Sequence, residues 1–109
     1  MDIKRVIQDS LKIPVIRLFE PIAPPCATYY PVNDTTALAG DGKEEETSES
    51  YQIDIWDRDR EEVKIKGRRL KASLMMAGEP ITVPDITYQY DNNGKMWRAT
   101  LAFSALREE

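Results

Sequence analysis

Three aspartates, Asp54, Asp57 and Asp59, lie close enough along the chain to invite a divalent cation. Oxygen ligands suit calcium or magnesium, but the turn glycine and distal glutamate of a calcium loop are missing. Asp59 also has a competing use. With Glu62 three residues on, it reads as a variant capping box whose side chain accepts the free N–H groups of a helix start. Gly40-Asp41-Gly42-Lys43 has the outline of a phosphate loop. Such a loop needs a glycine where Ala37 stands and a hydroxyl residue where Glu44 stands, and the flanking acids repel phosphate. The chain has no histidine and one cysteine, Cys26. It therefore builds no Ser-His-Asp or Cys-His triad and no structural zinc site from its own residues. Any catalysis would rest on carboxylates, lysine or tyrosine, with Asp54 and Asp57 the paired carboxylates to test. No catalytic residue, metal ligand or cofactor is expected, and the balance tips towards a binding or structural protein rather than an enzyme.

Charge is spread unevenly. Lys64, Lys66, Arg68, Arg69 and Lys71 form the one cationic concentration, and on a helix they spread round much of the circumference. A solvated helix face is the plain reading, contact with an acidic neighbouring subunit the sharper one, and nucleic acid a third. Glu62 stands four residues before Lys66, so one i, i+4 ion pair is available. Within 41–50, Asp41, Glu44, Glu45, Glu46 and Glu49 stand against Lys43 alone. That run is either a solubilising loop, an arm that orders against a partner, or the lining of a passage that DNA must not adhere to. A formal net charge of −4 and an isoelectric point near 4.9 argue against non-specific nucleic-acid binding as the main activity.

The elements that must position these residues follow from periodicity. A chain of 109 residues, 41% hydrophobic and 31% charged, fits one soluble globular domain with a single core. No apolar run approaches the ~20 residues of a membrane span. No signal peptide is expected at the start, and the lone cysteine suits a reducing cytoplasm. Ile3, Val6, Ile7 and Leu11 predict an amphipathic helix over 2–12, closed off by Pro14. Residues 13–19 are apolar and β-branched enough for a strand, 20–25 form a proline-rich connection, and 26–32 form a second strand. Residues 33–50 are expected to be a long polar hairpin arm. Tyr51, Ile53 and Ile55 then alternate with Gln52, Asp54 and Trp56, so either both sheet faces are covered or Trp56 sits on an oligomer interface. Val63, Gly67, Leu70, Leu74 and Ala77 predict a second helix over about 60–77, ended by a left-handed Gly78. Gly67 is expected to lie close against the sheet. A closing hairpin turns at Asn92-Asn93-Gly94, residues that tolerate positive φ. The expected class is α+β: a mainly antiparallel sheet of about four to five strands with two helices, in the order α-β-β-β-α-β-β.

Several phrases resemble the small tail-completion proteins (tail terminators, head–tail joining proteins) of long-tailed bacteriophages and prophages. They are KIPVIRLF after the first helix, PPCATYYPV, the long arm, YQIDIWDRD feeding a helix, and the hairpin ITYQYDNNGKMWRATLAFSA. The resemblance covers most of the chain. It implies an α+β subunit that assembles into a hexameric ring, caps the tail tube and joins it to the head connector protein, with no chemistry performed. DNA would pass through the lumen, and no membrane is involved. The setting implied is the host bacterial cytoplasm during assembly, then the virion tail or head–tail junction. The family carries no catalytic residues to transfer. From charge and pattern, the interface candidates are Glu44, Glu45 and Glu46 in the arm, Trp56 on the sheet, and Lys64, Arg68 and Arg69 on the helix. Two other readings remain at this point. One is a head–tail connector adaptor docking on the portal side. The other is a small nucleic-acid-binding sheet protein stacking bases on Tyr29, Tyr30, Tyr88 and Trp97 beside Lys95 and Arg98.

Overall fold

The computed structural model describes residues 2–17, 19–32 and 48–106. Within them run α1 (Ile3–Leu11), β1 (Cys26–Val32), β2 (Ser48–Asp57), α2 (Arg60–Met75), β3 (Asp85–Asp91) and β4 (Met96–Leu106). The strands form one antiparallel sheet in the order β1-β2-β4-β3, so the fold is α+β.

Each helix begins where an aspartate can cap it. Asp2 accepts from the Arg5 amide at 3.2 Å, and Asp59 accepts from the Glu61 amide at 2.8 Å. The reciprocal half of the expected capping box is replaced: Asp57 Oδ1, not Glu62, accepts from the Asp59 amide at 3.0 Å. Ile3, Ile7 and Leu11 of α1 and Val63, Leu70 and Leu74 of α2 are buried against one sheet face. That face receives Ile53 and Ile55 from β2 and Ala99 and Leu101 from β4, all inaccessible to solvent. Helix α2 stops at Met75, short of the expected 77, and the left-handed glycine follows three residues later at Gly78, φ 86°. Gly67 does lie close to the sheet. A Cβ there would sit 3.2 Å from Tyr88 Oη and 3.6 Å from Ala99 Cβ.

One expected strand is not formed. Among the described residues of 13–19 a single parallel bridge forms, Val15 to Ala27, so the order is α-β-β-α-β-β. The Ala27 amide donates to the Pro14 carbonyl and the Ile16 amide to the Ala27 carbonyl, each at 2.9 Å. Beyond Ile16 the chain turns: the Glu20 amide bonds the Arg17 carbonyl, Glu20 Oε1 accepts from the Arg17 amide, and Phe19 takes φ 73°. Pro14 supplies no N–H and the turn removes the rest, so a strand-like composition yields one rung.

Two further expectations change in detail. Strand β2 begins at Ser48, so the last three residues assigned to the polar arm belong to the sheet; residues 33–47 lie outside the described residues. The hairpin loop runs from Asn92 to Lys95, and its left-handed residue is Lys95, φ 55°, rather than Asn93 or Gly94. Four-residue connections are most often built around a type I turn, which needs no positive φ at its central residues. The Asn93 amide bonds Asp91 Oδ1 at 3.0 Å and helps to start that turn.

The contact at Gly67 sets a measurable limit. Gly67→Val is expected to lower stability to urea by about 1–3 kcal/mol through overpacking against Tyr88 and Ala99. Gly67→Ala should come out near neutral, a helix gain of about 1 kcal/mol offsetting displacement of the Tyr88 hydroxyl.

Candidate functional site

Because successive strand residues alternate, the face away from the helices carries β2's even-numbered residues and their cross-strand neighbours. Here the sheet is polar, and its pairs follow the β2–β4 register. Ser50 Oγ and Ser104 Oγ lie 3.0 Å apart, and Thr100 Oγ1 donates to Asp54 Oδ1 at 2.8 Å. The Arg98 guanidinium lies 5.4 Å from the centre of the Trp56 ring. Burial raises the Tyr30 phenol above its ordinary pKa, the Asp54 carboxylate adds to the rise, and Arg98 opposes it.

At one end of this face a small apolar cluster forms from Cys26, Trp56 and Met96, with Ile16 packed against it. Burial holds the Cys26 thiol above its usual pKa, against a backbone hydrogen bond at Ala23 that lowers it, so the sulfur stays neutral and unreactive near pH 7. Trp56 is 8% exposed, so the face it occupies is covered within the single chain. Its indole Nε1–H is the one buried side-chain polar atom without a partner among the described residues. Leaving such a donor unpaired costs about 1–3 kcal/mol. Beside it, Trp56, Gln89, Tyr90, Asp91 and Arg98 line a surface cleft of about 260 Å³. Register builds that cleft: Trp56 faces Arg98 across β2–β4, and Arg98 faces Gln89 across β4–β3. Arg98 also donates to Gln89 Oε1.

The second surface is helix α2. Arg68 and Arg69 are exposed, Lys64 is half-buried, and none of the three forms an ion pair among the described residues. Lys66 is different. Its ammonium donates to Asp57 Oδ2 at 2.9 Å and to Glu62 Oε1 at 3.3 Å, the second being the available i, i+4 pair. Partial burial disfavours the Lys66 charge, but the Asp57 and Glu62 carboxylates outweigh it and raise its pKa above the ordinary 10.5. Lys66 thus fastens α2 to the end of β2 and leaves the basic face to its neighbours.

The aspartate cluster disperses. Asp54 faces Thr100, Asp57 faces Lys66, and Asp59 caps α2. Among the described residues no three carboxylates or thiols are grouped to hold a metal. Gly40–Lys43 and Glu44, Glu45 and Glu46 fall outside the described residues. The four aromatics proposed as stacking platforms do not share a face. Tyr29, Tyr88 and Trp97 pack against the helix-side core, while Tyr30 is on the polar side. Trp97 is further occupied by Tyr90, with ring centres 5.1 Å apart, and by the Arg60 guanidinium at 5.6 Å. Gln89 and Asp91 were absent from the sequence-derived candidates. Aligning the apolar faces of β3 and β4 forces Gln89 opposite Arg98, so the signal was present in the alternation. No helix among the described residues is long and apolar enough to cross a membrane. In comparisons with known families and with characterised proteins, the chain matches none.

The Lys66 network carries a signed pH dependence. Lys66→Met should destabilise the fold by about 1–3 kcal/mol at neutral pH, because it strands the Asp57 carboxylate. Since folding raises the Lys66 pKa, the stabilisation is complete below pH 10.5 and fades as pH climbs through the folded value. Thermal melts of the two proteins should converge in strongly alkaline buffer, and a constant gap would refute the charged-pair account.

Proposed function

We propose that this chain is a structural assembly subunit of a phage or prophage tail: a tail terminator or tail-completion protein that forms a ring, caps the tail tube, joins it to the head connector and performs no chemistry. The observation that supports it beyond the resembling phrases is the partition of charge. Asp34, Asp41, Glu44, Glu45 and Glu46 against Lys43 leave segment 33–47 with an excess equal to the chain's whole formal net charge of −4. The remainder is formally neutral, and Arg68 and Arg69 are exposed on α2 with no ion pair among the described residues. An acidic segment on one copy and a basic surface on the next form a heterologous contact, and such contacts close into rings when the rotation allows. An acidic lumen would let DNA slide, which is consistent with the low isoelectric point. In this reading the subunit is made in the bacterial cytoplasm and ends at the head–tail junction.

Two measurements test the proposal. Neighbouring genes should encode tail-tube, tape-measure or portal proteins, and their absence sinks the assignment. Size-exclusion chromatography with light scattering, with and without the tail-tube partner, should show a shift towards a hexamer. Replacing Arg68→Glu and Arg69→Glu together should abolish that shift while changing monomer stability by no more than about 0.5 kcal/mol, as expected of exposed side chains. A variant that unfolds instead would place those arginines in internal packing.

A further inference from the structure

The two margins of the sheet are treated differently. β1 is bridged at Ala27 and carries Pro31, whereas β3 keeps regular register with β4 over Asp85–Asp91 and has no proline, lysine or bulge to guard it. Its outward groups follow by alternation. Ala27 turns its N–H and C=O away from β2, so β2 bonds β1 through Gln52, Asp54 and Trp56, and β4 through Tyr51, Ile53 and Ile55. β4 then bonds β3 through Arg98, Thr100 and Ala102, and the Thr82 amide on the Ser104 carbonyl keeps the same phase. That leaves the N–H and C=O groups of Ile86, Tyr88 and Tyr90 facing outward from the sheet among the described residues.

Above this margin stands one flank of α2. The other flank is engaged: Ser73 donates to Ser10 Oγ of α1 at 2.8 Å, and Lys66 holds Asp57. Helical spacing gathers Arg60, Lys64 and Lys71 on the side away from α1, next to Gly67, which lies against Tyr88. Arg60 rests over Trp97, which packs on Tyr90. Lys64 and Lys71 are half-buried and form no ion pair among the described residues. Below them Ile86 and Tyr88 are half-buried and Tyr90 is exposed, while the opposite face of β3 presents Asp85, Thr87, Gln89 and Asp91.

The geometry points to the β3 margin as a strand-accepting site for an extended acidic segment of a partner protein, with carboxylates on alternate residues turned towards Lys64 and Lys71. Backbone pairing completes the margin, and the two faces select the side chains. Cations on the helix side admit carboxylates, and Asp85 and Asp91 on the other side reject them. The same acids exclude a second β3 as the incoming strand. Full-length antiparallel pairing would set Asp85 of each copy opposite Asp91 of the other, like charges at both ends. One chain forms the whole site, so nothing in it depends on ring assembly.

The test uses the full-length protein and ten-residue peptides, with amide hydrogen exchange followed by nitrogen-15 NMR. An alternating Glu-Thr peptide should bind and slow exchange at Ile86, Tyr88 and Tyr90, leaving Thr87 and Gln89, already bonded to β4, unchanged. It should bind more tightly than decaglutamate, despite carrying half the charge. Lys64→Gln and Lys71→Gln together should weaken binding by about tenfold. An alternating Gln-Thr peptide should lose as much, and that arm leaves the protein unaltered. Unprotected Ile86, Tyr88 and Tyr90 amides at millimolar peptide overturn the site. So does equal or tighter binding of decaglutamate or of the Gln-Thr peptide, or an affinity indifferent to the lysine changes. Equal or tighter binding of a thymidine decanucleotide would give the margin to nucleic acid. Peptide binding that emerges only after Glu44→Gln, Glu45→Gln and Glu46→Gln in the protein would give it to the chain's own acidic segment, and either result overturns the partner assignment.

Discussion

Everything described above hangs on the register of β2 against β4, ten residue pairs from Ser48–Leu106 to Asp57–Trp97. Side chains alternate with a period of two, so a slip of β2 by one residue against β4 would carry Ile53 and Ile55 to the solvent face while Ala99 and Leu101 stayed on the other. That penalty makes the register the best-specified feature of the chain. The polar face inherits it at no extra cost: Asp54 meets Thr100 and Trp56 meets Arg98 because the apolar residues on the other side have fixed the alignment. The helices depend on it as well. The Asp57 carboxylate at the end of β2 holds both the Asp59 amide at the start of α2 and the Lys66 ammonium about two turns along it.

What the sequence revealed and what it hid divide along the range of the interactions involved. Local periodicity located α1, β1, β3 and most of α2, and identified Gly67 as a point of close approach, because those patterns are written in neighbouring residues. Val63, Leu70 and Leu74 needed no partner to be recognised as a buried stripe. Residues 13–19 misled because β-branched composition measures compatibility with a sheet, while pairing depends on available N–H groups and a straight path, both lost at Pro14 and in the Arg17–Glu20 turn. The turn at Asn92–Lys95 misled for a related reason: residues that tolerate positive φ are not thereby required to adopt it. Lys66 was read with Glu62 alone, since the i, i+4 rule sees only its own helix, while the shorter contact comes from Asp57 across an element boundary. The cleft was hidden most deeply, because it needs three strands in register before Trp56, Arg98 and Gln89 become neighbours.

The two surfaces differ in what they can contribute to recognition. The arginines of α2 are exposed, so their attraction is screened by salt and suits steering more than grip. The Arg98 guanidinium lies beside the Trp56 ring and donates to Gln89, so its side chain is held more firmly than theirs.

The single rung between Val15 and Ala27 has a consequence for the sheet as a whole. Ala27 directs both of its backbone groups outwards to that rung, so alternation turns the backbones of Tyr29 and Pro31 outwards too. Pro31 offers no N–H to an incoming strand. One margin of the sheet is therefore closed by a short crossing segment and a proline, while β3 lies at the other margin. Among the described residues the β1 margin thus offers an incoming strand fewer backbone partners than a full edge strand would, which disfavours edge-to-edge pairing there.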